Sequence, residues 1–378
     1  MKGFKKHKYL KTALCFGVGA VLLTAAAFAN YDNASGYSVC KNAAKQLLFE
    51  TNFSTNYQVA VKLDGNPITE SKGVYQTNGG GNPARYDMME NAYYYELGGE
   101  PKVSKRESIQ QDGLSVYVHT NEDGEQYSSA NKIYPNMVNG VEVNTDDGSF
   151  IGGGSDMAEK AITFGEKLCD TLVGDLKNSI IQVDSADGLR TYQASLTGNQ
   201  MPDLVASGVS LAVSSIKNSV EVSREYREEN GSAADYQSID DILYDSMFAG
   251  GDPVIDSANG SMTVNESGLP VHVNGSVSFT GFDAQGNAHT MEFTLNADFS
   301  DYGTTAITPM DIYALPDLRI FDRGDSTYVI NMEASEEEQA EIRAQAEEEA
   351  SYGNTVRIID QNGKELAVMN GGENSGAE

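Results

Sequence analysis

The chain has 378 residues, with 26 Lys and Arg against 55 Asp and Glu and a net charge of −29 at pH 7. So acidic a surface repels nucleic acid and anionic lipid headgroups, which excludes DNA and RNA as partners. Trp is absent while Gly (38) and Tyr (20) are abundant, a composition that suits an extended antiparallel sheet with glycine turns.

Residues 1–29 form the first predicted element. Lys2, Lys5, Lys6, Lys8 and Lys11 make a basic head, an apolar run follows from Thr12 to Phe28, and the segment ends at Ala27-Phe28-Ala29 before Asn30. That is the pattern of an export signal. Cleavage after Ala29 places the remainder outside the cytoplasm, secreted or at the cell surface. The alternative is an uncleaved anchor, since the 17 residues from Thr12 to Phe28 sit at the lower end of the spanning range of about 17–25. This segment is the only membrane contact that the sequence offers. Leu14, before Cys15, is not the small residue that a lipidation signal carries. Cleavage leaves 21 basic against 55 acidic residues, hence −34. The mature chain, about 350 residues, suffices for one large or two ordinary domains.

Between Ser35 and Thr51, Tyr37, Cys40, Ala44, Leu47 and Leu48 recur at helical spacing. The period then changes to two: Tyr57, Val59, Val61 and Leu63 alternate with their neighbours before the Asp64-Gly65-Asn66-Pro67 turn. Strand-like runs follow at 73–77, 84–97, 103–110, 114–120 and 125–130. Gln111-Asp112-Gly113 and Glu122-Asp123-Gly124 are turn signals, and the whole reads as a meander of hairpins. Residues 144–155 are a Gly/Asp/Ser linker. Met157, Ala161, Phe164, Leu168, Leu172 and Leu176 then predict a helix through Lys177. Strands at 179–183 and 189–196 come next. Pro202 opens a helix over about 203–220, whose small, neutral residues suit burial inside a concave sheet.

Residues 221–250 are charged, include a short helical piece near Ile239–Met247, and read as a polar surface insertion. The clearest strand signal lies at 252–303. There Val271, Val273, Val277 and Phe279 share one face, and Met291, Phe293, Leu295, Ala297 and Phe299 share one face of the returning strand. Residues 310–378 form an acidic C-terminal extension. Ser335 and Glu338 make a capping box for a helix to about Ala350, a hairpin over 355–368 turns at Asn362-Gly363, and the end beyond 370 is expected to be disordered.

Two cysteines, Cys40 and Cys169, follow the export signal, each near an apolar helix face. An oxidising compartment permits a disulfide between them, and buried free thiols are the alternative. No pattern assembles a catalytic centre, so the chain is not expected to be an enzyme. His119 and His272 fall on strand positions opposite the apolar residues, and HExxH, Gly-x-Ser-x-Gly and CxxC are absent after residue 30. Gly79-Gly80-Gly81 and Gly152-Gly153-Gly154 lack the Lys-Ser/Thr of a phosphate loop, and no twelve-residue calcium loop occurs. Neither a cofactor nor a metal is therefore expected. The strand patterns place no charged cluster inside the concavity, as a hydrolase would need.

The element order ends in short marked segments: Gly198-Asn199-Gln200-Met201-Pro202, Ser267-Gly268-Leu269-Pro270, Asp283-Ala284-Gln285-Gly286-Asn287-Ala288-His289 and Asp298-Phe299-Ser300-Asp301-Tyr302-Gly303-Thr304-Thr305. Over roughly 35–309 it resembles a group of uncharacterised exported proteins of Gram-positive bacteria. Their shape is similar to the lipoprotein-carrier superfamily, which includes the periplasmic carrier and the mycobacterial lipid-binding lipoproteins. The resemblance implies an α+β fold: a strongly curved antiparallel sheet, or incomplete barrel, with helices on its concave face and acyl chains between. Three features depart from it: the missing lipidation cysteine, the polar 221–250 segment and residues 310–378.

Two functions follow as expectations. The first is an exported, non-enzymatic envelope protein holding a lipid or other apolar ligand, with Leu204, Leu211, Phe279, Phe293 and Leu295 as contacts. The second is an envelope interaction or sensing protein with a solid core, meeting a protein partner through its acidic surface and tail.

Overall fold

The computed structural model describes residues 35–133, 136–138, 141–143, 180–200, 217, 218, 220–222, 224, 239–322 and 325–370. Helix α1 (Ser35–Phe49) leads into six strands: β1 (Asn52–Leu63), β2 (Asn66–Asn78), β3 (Arg85–Tyr93), β4 (Lys102–Gln111), β5 (Leu114–Thr120) and β6 (Gln126–Lys132). A small hairpin, β7 (Asn136–Val138) and β8 (Val141–Val143), stands apart from the main sheet. Then come β9 (Ile181–Ala186) and β10 (Leu189–Thr197). Helix α2 runs from Ile239 to Leu243 and continues as a π-helical turn, Tyr244–Phe248. The long strands β11 (Val254–Val264), β12 (Pro270–Phe282) and β13 (Ala288–Ser300) follow. The chain closes with β14 (Arg319–Asp322), β15 (Asp325–Ile330), α3 (Glu336–Ser351), β16 (Thr355–Asp360) and β17 (Glu365–Asn370).

Turn chemistry explains the tight hairpins. Asp64-Gly65, Asp112-Gly113 and Asp187-Gly188 all have both residues at positive φ, as the two-residue turn that matches strand twist requires. Ser335 caps α3 as the sequence predicts, with its hydroxyl accepting from the Glu338 amide and the Glu338 carboxylate reaching back.

Fifteen strands form one sheet, in the order β17-β16-β15-β14-β6-β5-β4-β3-β2-β1-β13-β12-β11-β10-β9. Its edges, β17 and β9, do not meet, so the curved sheet remains an incomplete barrel with helices on its concave face. Pairing is antiparallel except for β14 with β6 and β15 with β16. Helix α3 provides the crossover that the parallel β15–β16 pair needs. The helix and hairpin expected in the extension are thus present as α3 and β16–β17. The sequence reading missed β14 and β15, which join them to β6 and make the extension part of the sheet.

Following the register from strand to strand shows which residues share a face. On the inner face, α2 buries Ile239, Ile242, Leu243, Met247 and Phe248 against Val59, Leu63, Ile255, Val277, Phe279 and Phe293. Helix α1 buries Cys40 and Ala43 on the same face against Tyr192, Met262 and Val273. At β4–β6 the core lies on the opposite face, where Ile109, Val116 and Ala130 pack with Ile307, Ile312, Leu318 and Val329. A separate cluster beneath α3 holds Tyr328, Ile330, Ala346, Val356 and Ile358.

Two sequence expectations need correction. Residues 239–248 are not part of a surface insertion: Met247 is fully buried and Phe248 is 3% exposed. The charges around the segment are real, but its apolar positions recur along one helical face and that face lies on the sheet. Strand β3 stops at Tyr93 rather than Leu97, where the chain turns away. The predicted 157–177 helix and most of the 203–220 helix lie outside the described residues. The described residues between 217 and 224 are helical, past the expected end at 220.

Candidate ligand-binding face

Register brings three of the five expected contact residues together. Val277 pairs with Phe293 and Gly275 with Leu295 across β12–β13, and Phe293 and Leu295 face Val61 and Val59 of β1. Phe279 pairs with Met291 one step further along. Phe279 and Phe293 are each 3% exposed, and Leu295 packs half-buried against the same cluster. Leu204 and Leu211 lie outside the described residues. Cys40 is a buried free thiol, and burial pushes its pKa up to about 12. Its expected partner, Cys169, also lies outside the described residues.

From β10 to β1 the central inward positions are all apolar, aromatic or glycine: Tyr192 to Leu196, Ala258 to Met262, Val273 to Phe279, Met291 to Ala297 and Tyr57 to Leu63. Small residues lower the middle of this floor. Ala194, Gly260 and Gly275 line up across β10, β11 and β12, and among the described residues only the Asn274 backbone comes close to the space above Gly260. A cavity of about 30 Å³ lies here, lined by Cys40, Tyr192, Ala194, Leu196, Ala258 and Met262 among others. It has room for about one water, against roughly 300–1,000 Å³ for ordinary ligand pockets.

Helix α2 closes one end of the floor. A side chain on Gly281 would lie 2.3 Å from the Met247 carbonyl oxygen, so glycine is what lets the helix backbone touch β12. The Gly250 amide donates to the Phe282 carbonyl and fixes the exit from α2. Arg224 clamps the helix from outside, with Nε 2.9 Å from Asp241 and Nη2 2.9 Å from Asp245. Asp241, whose side chain is 6% exposed, is thereby buried with a counter-charge.

Beyond β1 the inner face changes character. Tyr57, Gly73, Met89 and Arg106 fall in one row across β1–β4; Thr55, Tyr75, Asp87 and Ser108 fall in the next. The Tyr57 ring lies over Gly73, where an added side chain would meet its hydroxyl at 2.5 Å. That hydroxyl senses Asp87 and Arg106; burial first, then Asp87, pushes its pKa up to about 12. Arg106 Nη2 stands 3.8 Å from Asp87 Oδ2. The Arg85 guanidinium lies 5.9 Å from the Tyr75 ring centroid. Burial raises the Asp87 pKa despite the opposing pull of Arg106 and Arg85. Next to them, Ser71 donates to Asn91 at 2.6 Å. The expectation of no charged cluster on this face is therefore corrected. β3 and β4 lack a clean apolar alternation, so only pairing to β1 and β2 assigns their faces.

Among the described residues no group of three or more His, Cys, Asp and Glu side chains is placed to hold a metal ion. No helix there is long and apolar enough to cross a membrane. No family model and no curated protein matches the chain. Among solved structures, it is similar to LprF from Mycobacterium bovis at 11% identity and a TM-score of 0.28, covering 72% of this chain and 95% of that one. It is also similar to a DUF1329 family protein from Desulfovibrio piger at 8% identity and a TM-score of 0.19, covering 74% of this chain and 95% of that one.

Proposed function

We propose that this chain is an exported, non-enzymatic binding protein of the bacterial cell envelope. It holds a lipid or other apolar ligand between the curved sheet and the helices on its concave face. The observation that carries this reading is the floor described above: five adjacent strands whose central inward positions carry no charge. Such a surface needs an apolar cover, either protein or ligand. Ala194, Gly260 and Gly275 put no large side chain in the middle of that floor.

A second reading has its own support. The cavity of about 30 Å³ is what a solid core leaves, and a solid core suits an envelope interaction protein that acts through its acidic surface. One experiment separates the two. Residues 30–378, secreted from a Gram-positive host, are extracted with organic solvent and the extract is analysed by mass spectrometry. The binding reading expects a lipid at near-stoichiometric amount and a rise in melting temperature when it is added back. At a free concentration of 100 times Kd, the stabilisation is about 2.7 kcal/mol. An empty protein whose melt ignores added lipid sinks that reading and favours a protein partner.

A further inference from the structure

The outer face of the sheet, opposite the apolar floor, has a composition unlike the rest of the chain. Register places Gln193, Ser261, Asn274, Asn296 and Gln58 in one outward row across β10–β13 and β1. Ser195, Asn259, Ser276 and Thr294 fall in the next row, which ends at the small Ala60. Neither row holds a charge, although the chain carries 55 acids. On the same five strands the flanking rows hold ionisable groups only in facing couples: His272 Nδ1 lies 2.7 Å from the Asp298 carboxylate, and Glu292 stands opposite Lys62. Cross-strand bonds set part of this surface in place, with Ser195 donating to Asn259 at 2.6 Å and Asn274 to Ser261 at 2.8 Å. The side-chain amides of Gln193, Asn296 and Gln58 make no hydrogen bond among the described residues, and all three residues are exposed.

What this face lacks decides what it fits. A folded partner protein needs an apolar centre to its interface, and the two rows offer none. An anionic polymer is repelled by the acidic chain, and a cationic one finds no fixed charge in these rows to hold it. Amides and hydroxyls, each both donor and acceptor, match an uncharged chain molecule that is itself dense in such groups. We propose that this outer face binds an uncharged polysaccharide, laid across the five strands over about 19 Å. The surface is separate from the apolar floor, so it stands whether or not that floor holds a lipid. Each exposed hydrogen bond adds little against water, so a single sugar is held weakly and affinity comes from a polymer that meets both rows at once. The bonds that already fix Ser195, Asn259, Ser261 and Asn274 lower the cost of ordering those side chains.

The test mixes the mature protein, residues 30–378, with insoluble cellulose or chitin and sediments the polymer. The expected result is co-sedimentation with one or both, unchanged between about 50 and about 500 mM salt because no ion pair is there to be screened. Cellulose presents hydroxyls alone and chitin adds an acetamide, so comparing them shows which group is read. A Gln58→Ala, Gln193→Ala, Asn296→Ala variant changes only exposed side chains without partners among the described residues. It should stay folded and bind about tenfold or more weakly, the scale of a few lost hydrogen bonds. No sedimentation with either polymer overturns the proposal. Retention that fades as salt rises also overturns it, since charges would then make the contact. Equal binding by the folded triple variant overturns it by placing the contact elsewhere. The solvent extract is a separate readout, so each of these results leaves the lipid reading as it was.

Discussion

His289 bridges two hairpin tips. Its Nδ1 is 2.7 Å from Asp64 on the β1–β2 turn, and its Nε2 is 3.5 Å from Asp283 on the β12–β13 turn. The hydrogen bond to Asp64 raises the His289 pKa most; burial opposes it, and Asp283 adds to the rise. Burial works against charge on Asp64, but His289 and the Thr290 amide outweigh it and hold the carboxyl low. Asn287 first, with His289 among the rest, holds Asp283 low. A raised histidine stabilises fully below its ordinary pKa of about 6.5 and loses that contribution as pH rises through the folded value. Lowered carboxylates stabilise above about 3.9 and lose it as pH falls through their folded values. The bridge therefore contributes most near pH 5–6, and wild type should lose melting temperature relative to His289→Asn as pH goes from 6 to 9. Parallel pH profiles for the two proteins would refute this role. His289 and its turn were readable in sequence, but Asp64 lies 225 residues away, and only strand order makes them neighbours.

At the scale of elements, the β11–β13 unit and the α3 cap were legible because each depends on local pattern: period two, turn residues, Ser335 with Glu338. Helix α2 was not. Its stripe of Ile239, Ile242, Leu243 and Met247 is short and sits among charges, so composition pointed to solvent. Burial there depends on Gly281 admitting the helix backbone and on Arg224 covering Asp241. Gly281→Ala should thus force α2 off the sheet at a cost of about 1–3 kcal/mol. Hydrogen exchange checks it: α2 amides should exchange faster in the variant while those of β12 stay protected. Unchanged protection in α2 would show that the contact at Gly281 is not what seats the helix.

For the whole molecule, two cores on opposite faces are joined through β1–β6, and the C-terminal unit is attached through the β6–β14 seam. Deleting residues 334–378 removes α3, β16 and β17 and uncovers Tyr328 and Ile330 on β15. The expected product keeps a cooperative melt, but self-associates in size-exclusion chromatography through the bared β15 edge. A truncated chain that no longer folds would mean that the cluster under α3 supports the rest. By itself the sequence determined the α+β composition, most strand positions and the apolar alternation of Phe279, Phe293 and Leu295, because each is written in spacing between near neighbours. Tertiary structure alone decided that Asp87 and Arg106 share a face with those residues, that α2 is buried and that the tail extends the sheet. Each of these depends on which strands pair and in which register, and register is set by contacts between residues far apart in the chain.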